Sequence, residues 1–293
     1  MRDVNRHSSL FVVMVVLVLI AITGLPLFSY AGSAGIEPKA DQMLRKMSDY
    51  LANLKQFRVQ TENTLEVVLI SGQKVQFDNP VDVTIKRPNK LRADRKGDVF
   101  DQEFYYDGKT LTLYSPGKNY YATVQAPPTL DETLDFATEA LDLYAPGGDL
   151  IYSNAYDILT EDVISGSYIG VSVVGGVKCH HLAFRGNEVD WQIWIEDGDK
   201  PLPKKFVITT KWMTGAPQFT VSIKSWNLSP KLTASMFTFV PPKDAQKIDF
   251  IRLTGAGMSP RWITVKEESY DYRIKDFVIH MFPVSNVFHR CSE

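Results

Sequence analysis

The chain is poor in cysteine, close to neutral, and lacks the short motifs that usually announce chemistry. Its 293 residues include two cysteines, Cys179 and Cys291. Two are too few for a disulfide framework. They are far apart in sequence, so they either pair in an oxidising compartment or stand as a buried strand thiol and a tail thiol. A formal net charge of −2 removes the basic footprint that nucleic-acid binding needs. There is no Cys-x-x-Cys or His-Glu-x-x-His metal spacing, no Gly-x-Ser-x-Gly elbow and no glycine-rich phosphate loop. Ser165-Gly166-Ser167 falls inside a strand pattern, and the acid pairs Asp197/Asp199 and Asp94/Asp98 fall at turns, where they read as solvated charge. No repeat or low-complexity tract is present. The expectation is a monomeric, non-enzymatic protein without cofactor, metal or nucleic-acid partner.

What is present begins with one long apolar run. Arg2, Arg6 and His7 precede an uninterrupted stretch from Leu10 to Leu27, and the small residues of SYAGSAG follow. Residues 1–34 therefore read as a Sec-type signal peptide, with an uncleaved anchor as the rival, since about 18 apolar residues just span a bilayer. Either way the body is expected outside the cytoplasm, in the periplasm of a Gram-negative cell. No Leu-x-x-Cys pattern follows the run.

The body opens with a helix over Ile36 to Leu54. Met43, Leu44, Met47, Tyr50, Leu51 and Leu54 recur at helical spacing and make one apolar stripe. Strands follow at 56–70, 74–86, 91–95, 99–106, 109–114 and 120–125, separated by turn signals such as Asp107-Gly108. Thr129 with Glu132 forms a capping box ahead of a helix from Asp131 to Tyr144. A shorter helix covers about 153–160. Strands resume at 163–174, continue in a two-stranded hairpin over 177–196, and follow at 204–213 and 218–227. Eleven strands without parallel crossovers favour one curled antiparallel sheet or open barrel, with the mid-chain helices as a lid. Residues 248–293 form a C-terminal extension with strand-like material at 262–266 and 277–282.

The hairpin VKCHHLAFRGNEVDWQIWIE carries the sharpest alternation. A turn at Gly186-Asn187 places Phe184 opposite Val189, Leu182 opposite Trp191 and His180 opposite Ile193. The other face pairs Ala183 with Asp190, His181 with Gln192 and Cys179 with Trp194. Adjacent strand residues point to opposite faces, so His180 and His181 do not share a metal. Cys179, His181 and Asp190 do share a face, which leaves a hydrolase or metal site open as an alternative. The basic residues Arg87, Lys90, Arg92, Arg95 and Lys96 read as a solvated rim able to meet anionic lipid.

The segments MLRKMSDYLANLKQF, VDVTIKRPNKLRAD, FYYDGKTLTLY, CHHLAFRGNEVDWQIWI, GDKPLPKKFVIT and FTFVPP occur in an order that resembles a bacterial family of predicted periplasmic proteins, domain-of-unknown-function family 2092. The resemblance covers residues 36–247. That family looks related to the periplasmic lipoprotein carrier and receptor LolA and LolB. The resemblance implies an α+β fold, a half-open, strongly curved antiparallel β-barrel whose concave side is plugged by helices. It also implies binding of an apolar guest such as lipid or lipoprotein acyl chains, in a carrier or envelope-maintenance role. No catalytic residues come with it. The ligand cavity is expected to be walled by Leu182, Phe184, Trp191, Ile193, Tyr106 and Phe136, with the helix from Asp131 as its gate. The alternative is a structural or protein-interaction domain with a filled core.

Overall fold

The computed structural model describes residues 35–97, 101–141, 143 and 145–250. The N-terminal apolar segment, the strand-like stretches at 262–266 and 277–282, and Cys291 lie outside the described residues. All eleven strands expected from alternation form. They are β2 (Gln56–Val68), β3 (Lys74–Lys86), β4 (Lys90–Lys96), β5 (Asp101–Tyr106), β6 (Thr110–Ser115), β7 (Tyr120–Gln125), β8 (Val163–Val174), β9 (Val177–Gly186), β10 (Val189–Glu196), β11 (Pro203–Thr210) and β12 (Gln218–Asn227).

Among the described residues the sheet nevertheless has thirteen strands, not eleven. β1 (Gly35–Ile36) pairs parallel with β8, and β13 (Gln246–Lys247) pairs parallel with β7. Two-residue strands carry no readable alternation, which is why the sequence hides them. The strand order is β1-β8-β9-β10-β11-β12-β2-β3-β4-β5-β6-β7-β13. The sheet is open, with β1 and β13 at its edges. The two meanders meet where β12 pairs antiparallel with β2, so they form one continuous surface.

The 177–196 hairpin forms in a register two residues away from the one expected. Trp191 pairs with Phe184, Ile193 with Leu182 and Trp194 with His181. Gly186 is not the turn residue. A Cβ there would stand 2.8 Å from the Val189 carbonyl oxygen, so this glycine permits backbone approach inside the ladder and leaves the turn to Asn187-Glu188. A slip of two keeps every side chain on its face.

Elsewhere the turn chemistry is as the residue types dictate. Asp107 Oδ1 accepts from the backbone N–H groups of Lys109 and Thr110 at 3.0 and 2.8 Å, closing the β5–β6 turn with Gly108 at φ +87°. On the convex face the side chains are polar. Asp82 binds Arg58 and Gln60, and Thr64 donates to Asp78 at 2.6 Å. Farther along that face Phe239, from the FTFVPP segment, packs its ring 5.1–5.4 Å from those of Tyr105, Tyr114 and Tyr121.

On the concave side lie the helices. α1 (Pro38–Asn53) buries Ala40, Leu44, Met47, Ser48 and Leu51. Leu44 and Met47 are fully buried and join Leu182, Phe184, Trp191, Ile193, Phe206 and Ile208 in one apolar cluster. Each such side chain contributes about 1.5–3 kcal/mol relative to exposure. α2 (Leu130–Leu141) starts with the expected capping box: the Glu132 N–H donates to Thr129 Oγ1 at 3.3 Å, and Thr129 Oγ1 donates to Glu132 Oε2 at 2.7 Å. A 3₁₀ turn (Gly148–Ile151) and α3 (Ala155–Thr160) complete this layer.

Gly166 shows how tightly the filled half is built. A Cβ at this position would lie 2.6 Å from both Cδ1 and Cε1 of Phe184, whose ring stacks on Trp191 at 3.9 Å. Gly166→Ala is expected to cost about 1–3 kcal/mol by overpacking. A lowered urea midpoint with an unchanged slope would show it; an unchanged midpoint would mean the ring can move aside.

Candidate functional site

Of the six residues expected to wall a cavity, five are core. Leu182 and Ile193 have no exposure, Phe184 has 1%, Trp191 6% and Tyr106 none. The Tyr106 hydroxyl donates to the Pro127 carbonyl at 2.7 Å. Phe136, on α2, is half-buried and packs against the cluster.

The Cys179, His181 and Asp190 trio is not assembled. In the observed register Asp190 stands opposite Arg185 and His181 opposite Trp194. Four residues of strand, about 13 Å, separate Asp190 from His181. His181 stacks on Trp194 at 4.1 Å and hydrogen-bonds Gln192 at 3.0 Å through Nε2, and burial lowers its pKa. Asp190 pairs with Lys211 at 2.8 Å. Cys179 is a buried thiol pointing at the Val177 carbonyl, 3.4 Å away, and burial pushes its pKa up. His180 bridges the Tyr168 hydroxyl at 2.9 Å and Asp197 at 3.1 Å. Among the described residues no group of three or more His, Cys, Asp or Glu is placed to hold a metal ion. No helix among them is long and apolar enough to cross a membrane.

The expected basic rim divides between faces. Arg92 lies with Asp94 and over the Tyr105 ring on the convex side. Arg95 shares the concave face with Leu91 and Ala93, because strand positions alternate. Arg87 turns toward the helical layer and donates to the Ile151 carbonyl at 2.7 Å.

The concave face itself is filled unevenly. Over β8–β12 the inward side chains Leu182, Phe184, Trp191, Ile193, Phe206, Ile208 and Val221 are buried. Over β3–β6 the inward series Val81, Val83, Ala93, Phe104 and Leu113 is only half-buried. These residues are neighbours by register: Val83 pairs with Ala93, Ala93 with Phe104, and Phe104 with Leu113. They form one apolar strip across four strands, and the sequence reading missed them. Alternation assigns a face to a residue, but not what covers that face. A separate cleft of about 500 Å³, lined by Glu196, Lys200, Leu202, Lys204, Trp226 and Leu228 among others, lies at the ends of β10–β12 and is polar-rimmed.

The helical layer is tied down at several points. Leu130 N–H donates to the Pro88 carbonyl at 2.8 Å. The Tyr152 hydroxyl donates to Asp135 at 2.9 Å, and the Ser153 N–H to Asp131 at 3.2 Å. Arg45 on α1 donates to the Tyr156 hydroxyl at 2.7 Å. The layer also enters the curve: a Cβ on Gly147 would stand 3.1 Å from Val221 Cγ2.

A family model described as "Predicted periplasmic protein (DUF2092)" matches residues 40–251. The chain belongs to this family. The family's description places the protein in the periplasm. Among solved structures the chain is similar to an uncharacterised conserved protein from Thermus thermophilus, with 12% identity, 72% of this chain and 99% of that one covered, and a TM-score of 0.44. It is similar to the Mycobacterium tuberculosis lipoprotein LppX, with 12% identity, 67% and 100% coverage and a TM-score of 0.43. It is also similar to a LolA superfamily protein from Nitrosomonas europaea, with 12% identity, 68% and 97% coverage and a TM-score of 0.32. A search of curated proteins returns no match.

In this family member one carboxyl of the plugging layer is set for a pH effect. Burial pushes Asp149, in the 3₁₀ turn, up to about 6 from 3.8. Below about pH 4 both folded and unfolded chains hold this proton. Between about 4 and 6 the unfolded chain releases it first, so stability falls as pH rises through that window and is level above it. Asp149→Asn is expected to flatten that segment and to stabilise the protein at neutral pH by on the order of 1–3 kcal/mol. Urea midpoints at pH 4 and pH 7.5 measure this, and parallel profiles for the two proteins would refute it.

Proposed function

We propose that the protein binds an apolar guest, a lipid or lipoprotein acyl chain, on the concave face of its sheet, without catalysis, as a carrier or envelope-maintenance factor in the periplasm. The observation that carries this reading is the half-buried strip of Val81, Val83, Ala93, Phe104 and Leu113. Close-packed interiors do not leave contiguous aliphatic and aromatic walls half accessible across four strands, whereas lipid sites are concave and mostly apolar. Phe136, Leu134 and Ala137 of α2 are half-buried as well and pack against the same cluster, which suits α2 to the role of gate. The expected wall residues Leu182, Phe184, Trp191 and Ile193 then act as the floor on which the helical layer rests, and a chain reaches them only when that layer shifts.

A second reading has its own observation. Ile169, Val171 and Val173 of β8 are 53–69% exposed, beyond the two residues of β8 that β1 covers. An uncovered apolar strand edge suits a protein partner that adds a strand, and this supports the interaction-domain alternative.

Extraction of lipid from the periplasmic protein, with native mass spectrometry, tests the first reading. Ala93→Phe sharpens the test. If the strip faces a hollow, the added ring is tolerated, the melting temperature stays within a few degrees and the bound chain is lost. If the strip is solid core, the variant loses about 1–3 kcal/mol or more by overpacking, and no lipid is found in either protein.

A further inference from the structure

One edge of the sheet is open where its strand is least protected. β1 covers β8 at Ser165 and Gly166. The Glu37 N–H donates to the Gly166 carbonyl at 2.9 Å, and Glu37 Oε2 accepts from the Tyr168 N–H at 3.0 Å. Beyond that point no strand among the described residues pairs with this edge. The backbone groups left there follow from the register. Gly166 and Tyr168 face the edge, so the even positions do so at first. The ladder with β9 then shifts by one residue between Tyr168 and Gly170. A bulge of one residue reverses the parity, so from Gly170 to Val174 the odd positions face outward. Val171 and Val173 thus present their N–H and C=O groups to the edge, and their side chains are 53% and 69% exposed.

Natural sheet edges are guarded by charge, proline or a bulge. From Val163 to Val177 there is no charged residue and no proline, and the ladder from Gly170 to Val174 is regular. Gly175 and Gly176, at φ +56° and +79°, turn the chain back within two residues, and no atom lies within 4 Å of a Cβ built on either. At the opposite edge β13 pairs with β7, in a stretch that carries Pro241, Pro242, Lys243 and Asp244. The open edge also matches its own copy. Val171-Ser172-Val173 reads the same in both directions, so a two-fold axis at Ser172 sets Val171 of each copy against Val173 of the other. Both positions face outward, so each pair exchanges two backbone hydrogen bonds, and each joins two β-branched side chains. The ends agree in charge. Glu37 stands at one end of the open stretch, with Lys39 over the Tyr168 ring at 3.7 Å. Lys178 stands at the other, paired with Asp197 at 2.7 Å. Antiparallel pairing brings one end against the other, acid toward base.

We infer that the β8 edge is a self-association surface, on which a second copy of this chain pairs antiparallel through Val171 and Val173 about a two-fold axis at Ser172. The two sheets become one, with both concave faces on the same side. A two-fold contact of this kind closes with two copies and consumes both edges, so it ends in a dimer and not a fibre. The contact is a few residues long and falls below the roughly 1,000 Å² of a firm interface, so dimerisation is weak and concentration-dependent. The monomer expected from the sequence is then the dilute form. The inference rests on the strand-addition reading above and supplies its partner. It involves none of the residues of the apolar strip, so its failure leaves the acyl-chain reading standing.

Sedimentation velocity of the mature protein, from about 1 µM to about 1 mM, tests this. The expected result is a shift from monomer to dimer across that range. Val171→Lys and Val173→Glu each set a charge opposite a valine and should weaken the dimer at least about tenfold. Both positions are exposed, so the melting temperature of the dilute protein should stay within a few degrees. An equimolar mixture of the two variants sets the new lysine against the new glutamate and should restore association as a heterodimer. A dimer unmoved by either variant overturns the assignment to this edge. Loss in both variants without rescue in the mixture overturns the register at Ser172. A lysine-flanked peptide of residues 169–175 separates the remaining outcomes. A protein that stays monomeric throughout yet binds the peptide overturns the second copy and leaves strand addition standing; one that neither dimerises nor binds the peptide overturns both. Should Val171→Lys fail to fold, Val173→Glu, at the more exposed position, decides alone, and a dimer as tight as the parent's refutes the pairing.

Discussion

The fold depends on covering one apolar face of a thirteen-stranded sheet with very little helix. Every strand of the sheet turns alternate side chains inward, and those inward positions are mostly apolar. Among the described residues, α1, α2, α3 and one 3₁₀ turn lie on that side. α1 is a good amphipathic helix, but it is 16 residues long, about 24 Å, while neighbouring strands are spaced about 4.8 Å apart. It cannot cover thirteen of them. The consequence is the division between β8–β12, where Leu182, Ile193 and Phe206 are sealed, and β3–β6, where Val83, Ala93 and Phe104 are not. Close packing in one half and an accessible strip in the other arise from the same shortage of cover.

Alternation also sorts the chemistry. His180 and His181 are adjacent in sequence yet make unrelated networks, one with Tyr168 and Asp197 and the other with Trp194 and Gln192. Arg92 and Arg95 separate in the same way, one to a convex cluster with Asp94, Glu103 and Tyr105 and one to the concave face. A cluster in the sequence of a strand is thus two half-clusters in space. The basic rim, read as one feature, dissolves for this reason.

Much of the scaffold was legible because strand alternation and turn chemistry are local. The bounds of β3, β7, β8 and β12 follow directly from Val/Ile/Tyr periodicity and from turns such as Gly175-Gly176. The hairpin register was misread by two residues because Gly186 has the look of a turn glycine. Its actual work is to let two backbones approach. That error left the buried set intact, since a slip of two preserves faces. The accessible strip was not legible: nothing in the letters of Val83 or Ala93 says how completely they are covered. The pair of Asn63 and Asn79, opposite each other on β2 and β3, left a signal that could have been found. β3 reads Val75, Phe77, Asn79, Val81, Val83 on its inward positions, and one asparagine in an otherwise apolar series breaks the pattern at the point where Asn63 faces it.

That break bears on how the protein balances stability against its task. Replacing Asn63 and Asn79 by leucine or valine would continue the pattern of the neighbouring positions and would remove two buried acceptors without partners, a gain of about 1–3 kcal/mol for each by ordinary hydrogen-bond energetics. Local rules, core packing and alternation all favour that replacement, and departures from such agreement concentrate at functional sites. The plugging layer points the same way. It is anchored by buried Leu130, Leu141, Leu150 and Leu159 in the core cluster and by hydrogen bonds such as Tyr152 to Asp135 and Ser153 to Asp131, and it carries Asp149 with a carboxyl that burial disfavours. A cover built to be permanent would bring apolar side chains to the strip. This one seats its own leucines over the core and leaves Val83, Ala93 and Phe104 half-covered, which is the division of cover that the proposed acyl-chain reading requires.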